Sequence, residues 1–191
     1  MMHTTRESWL NAAVVALHPI FAEHGYTVPQ VKVSCSWPGG GSARKRIGEC
    51  WPTKASAAGV NEVFISPTLD DPVRVLDVLA HELAHAVDNC RNGHKAPFVK
   101  IVRAIGLEGK PTATVAGPDL RLKLETVVLS MGAYPHSKIN INAARKKDTV
   151  RQIKRECSAC GAIWRMSRQW IDAAEHGMWC PVCGEVHHRT P

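Results

Sequence analysis

The run VLDVLAHELAHAV, Val75 to Val87, constrains this chain more than any other stretch. Val75, Leu76, Val78, Leu79, Leu83 and Val87 recur at helical spacing and predict a helix apolar over most of its surface. Asp71 is a suitable N-cap and Pro72 a suitable first residue, so the helix is expected to run from there to about Asn89. Yet it carries His81, Glu82 and His85. An ionised glutamate buried without compensation costs several kcal/mol, on the order of a whole domain's stability. A metal ion resolves the conflict. The pattern is HExxH, and residues four apart lie one turn apart on the same helix face. His81 and His85 can offer imidazole nitrogens to one zinc ion. Glu82 is no ligand in this scheme: it reaches a water on the metal, takes its proton and later passes that proton to a leaving amine.

A catalytic zinc takes three protein ligands and keeps one open position. His94 leads as third ligand, because a chain reversal expected at Gly93 can fold it back over the helix. Asp88, Glu108 and Cys90 are its rivals. Asp88, one turn past His85, also suits the orienting of a ligand, and Cys90 suits a small buried residue. The spacing HExxHxxGxxH is absent, since Asp88 and Arg91 occupy the relevant positions. Tyr134 and His136, in GAYPHSK, could donate to a developing oxyanion. They read more simply as a polar loop at a helix end.

A second metal motif lies near the C-terminus. CSACG and CPVCG place Cys157, Cys160, Cys180 and Cys183 in the spacing C-x2-C-x19-C-x2-C, within the range of a zinc ribbon. Gly161 and Gly184 follow the second cysteine of each pair, where a tight knuckle favours positive φ. Four thiolates close the coordination shell, so this zinc is expected to be structural and to supply the stability that so short a tail lacks. A redox dithiol fits two matched pairs poorly, and His187 and His188 are surplus to four sulfurs. The chain has seven cysteines in all. Its first residues do not make an export signal: Glu7 lies in the leading region, and His18 with Pro19 interrupts the apolar part. A reducing, cytoplasmic location follows as the expectation, nucleoid-associated if DNA is bound. No apolar run reaches membrane-spanning length.

The net charge is +7 and the pI about 9.2, which suits an anionic partner. Between residues 145 and 168, Arg145, Lys146, Lys147, Arg151, Lys154, Arg155, Arg165 and Arg168 face only Asp148 and Glu156 in sequence. Trp164 and Trp170 are interleaved. The cluster reads equally as a DNA contact, through phosphates and stacked bases, and as a solvated surface with tryptophans in a small core. The Gly-rich loop PGGGSARKR matches no phosphate-binding glycine motif and is assigned no nucleotide role.

The remaining elements follow from pattern. Trp9, Ala13, Ala16, Leu17 and Ile20 share one face of a first helix. VKVSCSW, Val31 to Trp37, and NEVFISP, Asn61 to Pro67, read as strands. Pro97 opens a helix with Phe98, Ile101, Val102 and Ile105 at core spacing, and another covers Leu120 to Leu129. Domain limits are expected at residues 1–140 for a catalytic domain, 141–155 for a basic linker and 156–191 for the ribbon.

HELAHAVDNCRNGHKAPF resembles the core of the SprT-like metallopeptidases, the Spartan-type family. So do the preceding VFISPTLDDPVRVLDVLAHELAHA and the terminal ribbon. The likeness spans roughly residues 5 to 185 and is nearest to short actinobacterial and phage members. It implies an α+β fold: a minimal zincin, whose active-site helix packs on a small sheet with a peptide-binding edge strand, followed by a zinc ribbon. It implies a catalytic zinc on His81, His85 and His94, Glu82 as base, and a structural zinc on the four cysteines. It also implies a protein substrate bound or crosslinked to DNA, single-stranded DNA being favoured, and a monomer. The segment between His85 and His94 is shorter than in Spartan-type members. A zinc-stabilised nucleic-acid-binding protein without peptidase activity is the alternative, against which the intact Glu82 argues. Hydrolysis of another amide or a cell-wall peptide is a third reading, weakened by the missing export signal.

Overall fold

The structure, a computed structural model, describes residues 3–39, 46–141, 143, 152–174 and 177–187. The architecture is α+β, and the chain divides into two compact units, Met1–Ile141 and Asn142–Pro191. The first unit runs α1 (Arg6–Ala22), β1 (Val31–Cys35), β2 (Gly48–Trp51), β3 (Asn61–Ile65), α2 (Pro72–Val87), α3 (Ala96–Ala104), β4 (Leu107–Lys110), β5 (Ala113–Ala116) and α4 (Pro118–Met131).

Local chemistry starts the helices. A capping box opens α1: the Thr5 side chain accepts from the Ser8 backbone N–H, and the Ser8 side chain accepts in return from the Thr5 N–H. Asp71 caps α2 by accepting from the Arg74 N–H at 2.7 Å, and Pro72 is its first residue, as the sequence predicts. The helix ends at Val87, two residues short of the expected limit. Pro19 lies inside α1 without ending it; the missing N–H falls in the last turn, where little helix remains to be lost.

Three strands form the main sheet in the order β1-β3-β2. β1 pairs parallel with β3, Val33 opposite Val63, and β2 pairs antiparallel with β3, Cys50 opposite Val63. β2 is therefore an edge strand. Its sequence, GECW, has no apolar alternation, which is why the pattern reading passed over it. α2 is the centre of the unit and packs against β2, β3, α3, α4 and β5. Being enclosed on most sides, it buries residues around nearly its whole circumference: Val75, Leu76, Leu79, Leu83 and Ala84 are all at 0% exposure. From α1, Trp9, Leu10, Leu17 and Phe21 enter the same core. The Trp9 indole N–H donates to the Gly132 carbonyl at 3.0 Å and ties α1 to the end of α4. β4 and β5 form a short antiparallel hairpin whose strand β5 lies on α2.

The second unit contains β6 (Gln152–Glu156), β7 (Ile163–Ser167), α5 (Arg168–Ala173), β8 (Met178–Trp179) and β9 (Val186–His187). β6 pairs with β7 and β8 with β9, both antiparallel. The stretch read as linker through residue 155 thus overlaps β6, whose cross-strand partners lie beyond the first cysteine pair. Among the described residues no helix is long and apolar enough to cross a membrane.

Candidate metal centres and the cleft

The α2 helix sets His81 and His85 on one face, and the chain reversal after it returns His94 to them. Gly93 adopts φ +52°, in the region a glycine tolerates. Asp88 shapes this return, accepting from the Asn92 backbone N–H at 2.8 Å and its side-chain amide at 2.6 Å. The ligand atoms of His81, His85 and His94 all lie within 4.8 Å of one another. Nε2 of His85 and Nε2 of His94 are 3.3 Å apart. Two nitrogens bound tetrahedrally at about 2.0–2.1 Å from one zinc stand roughly 3.3–3.4 Å apart, so this pair is spaced to share such an ion.

Protonation fits as well. Burial pulls His81 down to about 4 and His85 to about 3, and lowers His94. All three imidazoles are then neutral at neutral pH, the form that binds metal. Nδ1 of His81 is 2.8 Å from the Thr114 hydroxyl on β5, which fixes the ring and leaves Nε2 free. Phe98 of α3 lies beneath the cluster at 0% exposure. Its ring stacks on His85 with centroids 4.0 Å apart and planes 17° apart. It also meets His81 and His94 edge-on, at 5.1 and 5.2 Å.

Glu82 is 6% exposed. Burial raises its carboxyl to about 8, with Cys90 and Glu49 adding to the effect. It shares a cleft of about 550 Å³ with the three histidines, Thr114 and the β2 residues Gly48, Glu49 and Cys50. β2 comes very close: a Cβ placed on Gly48 would lie 2.5 Å from Oε1 of Glu82.

The rival ligands stand outside the histidine cluster. Asp88 holds the return turn. Glu108 lies on β4, exposed, beside Gly117. Cys90 meets Cys50, at 3.5 Å between sulfurs. Tyr134 packs in the core against Trp9, and His136 faces the Pro67 carbonyl oxygen at 2.9 Å, so both belong to the loop after α4 and not to the cleft. Thr114, Gly48, Glu49 and Cys50 line the cleft and Phe98 backs the histidines, and the sequence reading assigned none of them to the site. Each comes from an element other than α2, and only Phe98 carried a signal, as a core residue of its helix.

In the second unit, Cys157, Cys160, Cys180 and Cys183 bring their sulfurs within 4.8 Å of one another. Cys157 to Cys183 and Cys160 to Cys180 are both 3.6 Å, near the roughly 3.8 Å of two sulfurs on a tetrahedral zinc. The two knuckles repeat each other. Gly161 N–H donates to the Cys157 carbonyl at 2.9 Å and Gly184 N–H to that of Cys180 at 3.0 Å, with φ of +72° and +76°. Burial alone would raise the Cys180 thiol, but the N–H groups of Cys183 and Val182 and the neighbouring thiols bring it to about 6. His187 approaches the Cys157 sulfur at 3.3 Å, the position of a hydrogen-bond donor to a ligand sulfur. Both clusters can hold a metal ion.

Of the basic cluster, Arg145, Lys146, Lys147 and Arg151 lie outside the described residues. Lys154 and Arg165 stand directly opposite each other across β6 and β7, both exposed, and Arg168 is exposed. Lys154 also pairs with Glu156 at 3.1 Å. Arg155, opposite Trp164, is half-buried. Trp170, which one of the two sequence readings places in a small core, is 63% exposed, and Trp179 is 71% exposed; the four cysteine sulfurs, not the tryptophans, are what these short hairpins converge on. Comparison with protein-family models, curated proteins and solved structures yields no match for this chain.

Proposed function

We propose that this chain is a zinc-dependent metalloendopeptidase of the SprT-like type, acting on proteins bound or crosslinked to DNA. One observation carries the reading: three neutral imidazoles and a buried carboxyl share a cleft walled by an edge strand. The finer fold is then a minimal zincin, with α2 as active-site helix. His81, His85 and His94 would hold the ion. When bound, it supplies Lewis acidity towards a carbonyl oxygen and towards water.

The remaining work falls to the chain's own side chains. The Glu82 side chain, in its ionised carboxylate form, accepts a proton from the attacking water and returns it to the leaving amine nitrogen. Thr114 holds the His81 ring in one orientation. Phe98 closes the floor beneath the imidazoles against water. Among the described residues β3 is the one strand paired with β2, and the main-chain groups on the other edge of β2 can take up an extended peptide as an added strand.

The four thiolates of the second unit would hold a structural zinc. Lys154 and Arg165 set two cations directly opposite each other across a strand pair, with the Glu156 carboxylate beside Lys154. With Arg168 and the exposed rings of Trp170 and Trp179, they suit phosphate contact and base stacking. The same surface favours the second reading, a zinc-stabilised nucleic-acid-binding protein.

Zinc-loaded wild type and Glu82→Gln separate the two. Each is incubated with a DNA-binding protein, with and without single-stranded DNA, and cleavage is followed on a gel. Cutting by wild type alone, stimulated by DNA, is expected. If neither cuts anything, itself included, while both bind zinc and DNA, the binding module takes over.

A further inference from the structure

One pair of side chains in the cleft is placed for chemistry that peptide hydrolysis does not use. Cys50 lies on β2 and Cys90 in the turn after α2, 40 residues apart in sequence, yet their sulfurs are 3.5 Å apart. The Cys90 thiol also reaches the Cys50 carbonyl oxygen at 3.4 Å. Neither belongs to the histidine or the four-cysteine cluster. Cys35, the remaining cysteine, is half-buried on β1.

The approach is held from both sides. Asn89 and Cys90 adopt φ of +49° and +55°, the two non-glycine residues with positive φ among those described, a backbone that persists only where its surroundings impose it. Here they do. The Asn89 side-chain oxygen accepts from the Thr53 N–H at 3.0 Å and from the Asn61 amide at 3.1 Å. The Cys90 N–H donates to the His85 carbonyl at 2.8 Å. Thr53 follows β2 and Asn61 begins β3, so the turn is fastened to the sheet beside Cys50.

We propose that Cys50 and Cys90 are a redox modification site, forming a reversible intramolecular disulfide when the protein meets hydrogen peroxide. The sulfurs are close enough for one to resolve the other once it is oxidised. The Cys90 thiolate attacks one peroxide oxygen; the O–O bond breaks, hydroxide leaves, and Cys90 becomes a sulfenic acid. The Cys50 sulfur then attacks the Cys90 sulfur. The S–S bond forms, the S–O bond breaks, and water leaves with the Cys50 proton. Two thiols and one peroxide give one disulfide and two waters. A dithiol reductant reverses the step by exchange. The sulfurs must close by about 1.5 Å, which an edge strand bonded on one side can follow. The bond ties β2 to the turn that carries His94, and so pins two walls of the cleft together. The assignment stands apart from the hydrolytic reading.

The test is a disulfide map of the zinc-loaded, full-length protein. It is treated with hydrogen peroxide near stoichiometry, its free thiols are alkylated, and it is digested without reductant for mass spectrometry. The expected product is one linked peptide pair, Cys50 to Cys90, lighter by two hydrogens and lost on treatment with dithiothreitol. Cys35 stays alkylated over the same interval and serves as the internal standard. The linked pair is absent from Cys50→Ser and from Cys90→Ser, and persists in Cys35→Ser. Recovery of Cys50 and Cys90 unlinked in wild type when Cys35 has begun to oxidise overturns the proposal. So does either of them linked to a ribbon cysteine.

Discussion

Gly48→Ala tests how closely β2 sits on α2. Gly48 has no positive φ, so its backbone would accept any residue. The obstacle is steric. An added Cβ would lie 2.6 Å from Cγ1 of Val78, 2.9 Å from Cγ of Glu82 and 2.5 Å from its Oε1. Carbon atoms at rest stand about 3.5–4.0 Å apart, so something must retreat by about an ångström. α2 cannot, because its other faces are buried in the core. β2 yields more readily, since β3 is its one strand partner among the described residues. Overpacking of this kind costs about 1–3 kcal/mol, or roughly 3–10 °C of melting temperature for a unit of this size. The retreat also draws β2 away from Glu82 and opens the cleft wall, so cleavage falls at least tenfold while metal content at the histidines is unchanged. Thermal melting, zinc analysis and the gel assay read the three effects. Adding Val78→Ala relieves one contact, so the double variant is destabilised by less than the sum of the two single variants, without regaining activity. A Gly48→Ala protein with wild-type melting and wild-type cleavage would refute the close packing of β2 on α2 and with it the shape of the cleft.

Thr114→Val keeps the volume and removes the hydroxyl beside Nδ1 of His81; zinc affinity at the histidine site, measured by competition with a chelator, falls roughly 10–100-fold. His94→Ala removes one of three ligands, and zinc per chain by elemental analysis falls from two towards one. Cys160→Ser leaves the other site loaded but dissolves the paired knuckles of the second unit, seen as early proteolysis confined to residues 142–191. The metal-free protein should show an opposite pH trend at Glu82. Its carboxyl ordinarily titrates near 4.5 and in the fold near 8, so the folded chain holds an extra proton between those values. The stability it contributes is full below 4.5 and lost as pH rises through 8. In chelator-treated samples Glu82→Gln therefore gains on wild type from pH 4.5 upward, by on the order of a few kcal/mol at pH 8; a difference constant with pH would remove Glu82 as its source.

Much of both candidate metal centres is legible in the chain because the residues that could hold an ion are local. His81 and His85 are one helical turn apart, and Asp71 with Pro72 marks where that helix begins. Gly93 marks the return that brings His94 back. Each CxxC pair is a single knuckle with its glycine after it. Such features depend on bonds between near neighbours, so the residue order alone contains them. The exposure of Trp170 and Trp179 was not legible. An aromatic ring reads as core from composition, and only the placement of the short hairpins around four sulfurs leaves it outside.

Residue order alone was enough to pick out the two candidate ligand sets and the helix that carries the first of them. Tertiary structure alone decided the rest of the cleft. Thr114 is 33 residues from His81 and Cys50 is 40 from Cys90, and nothing in either segment announces the other. β2 shows no apolar alternation because one side of it faces the cleft instead of a second layer. Which distant segments meet α2 depends on how the whole core closes around it, a sum of many weak contacts that no short pattern encodes.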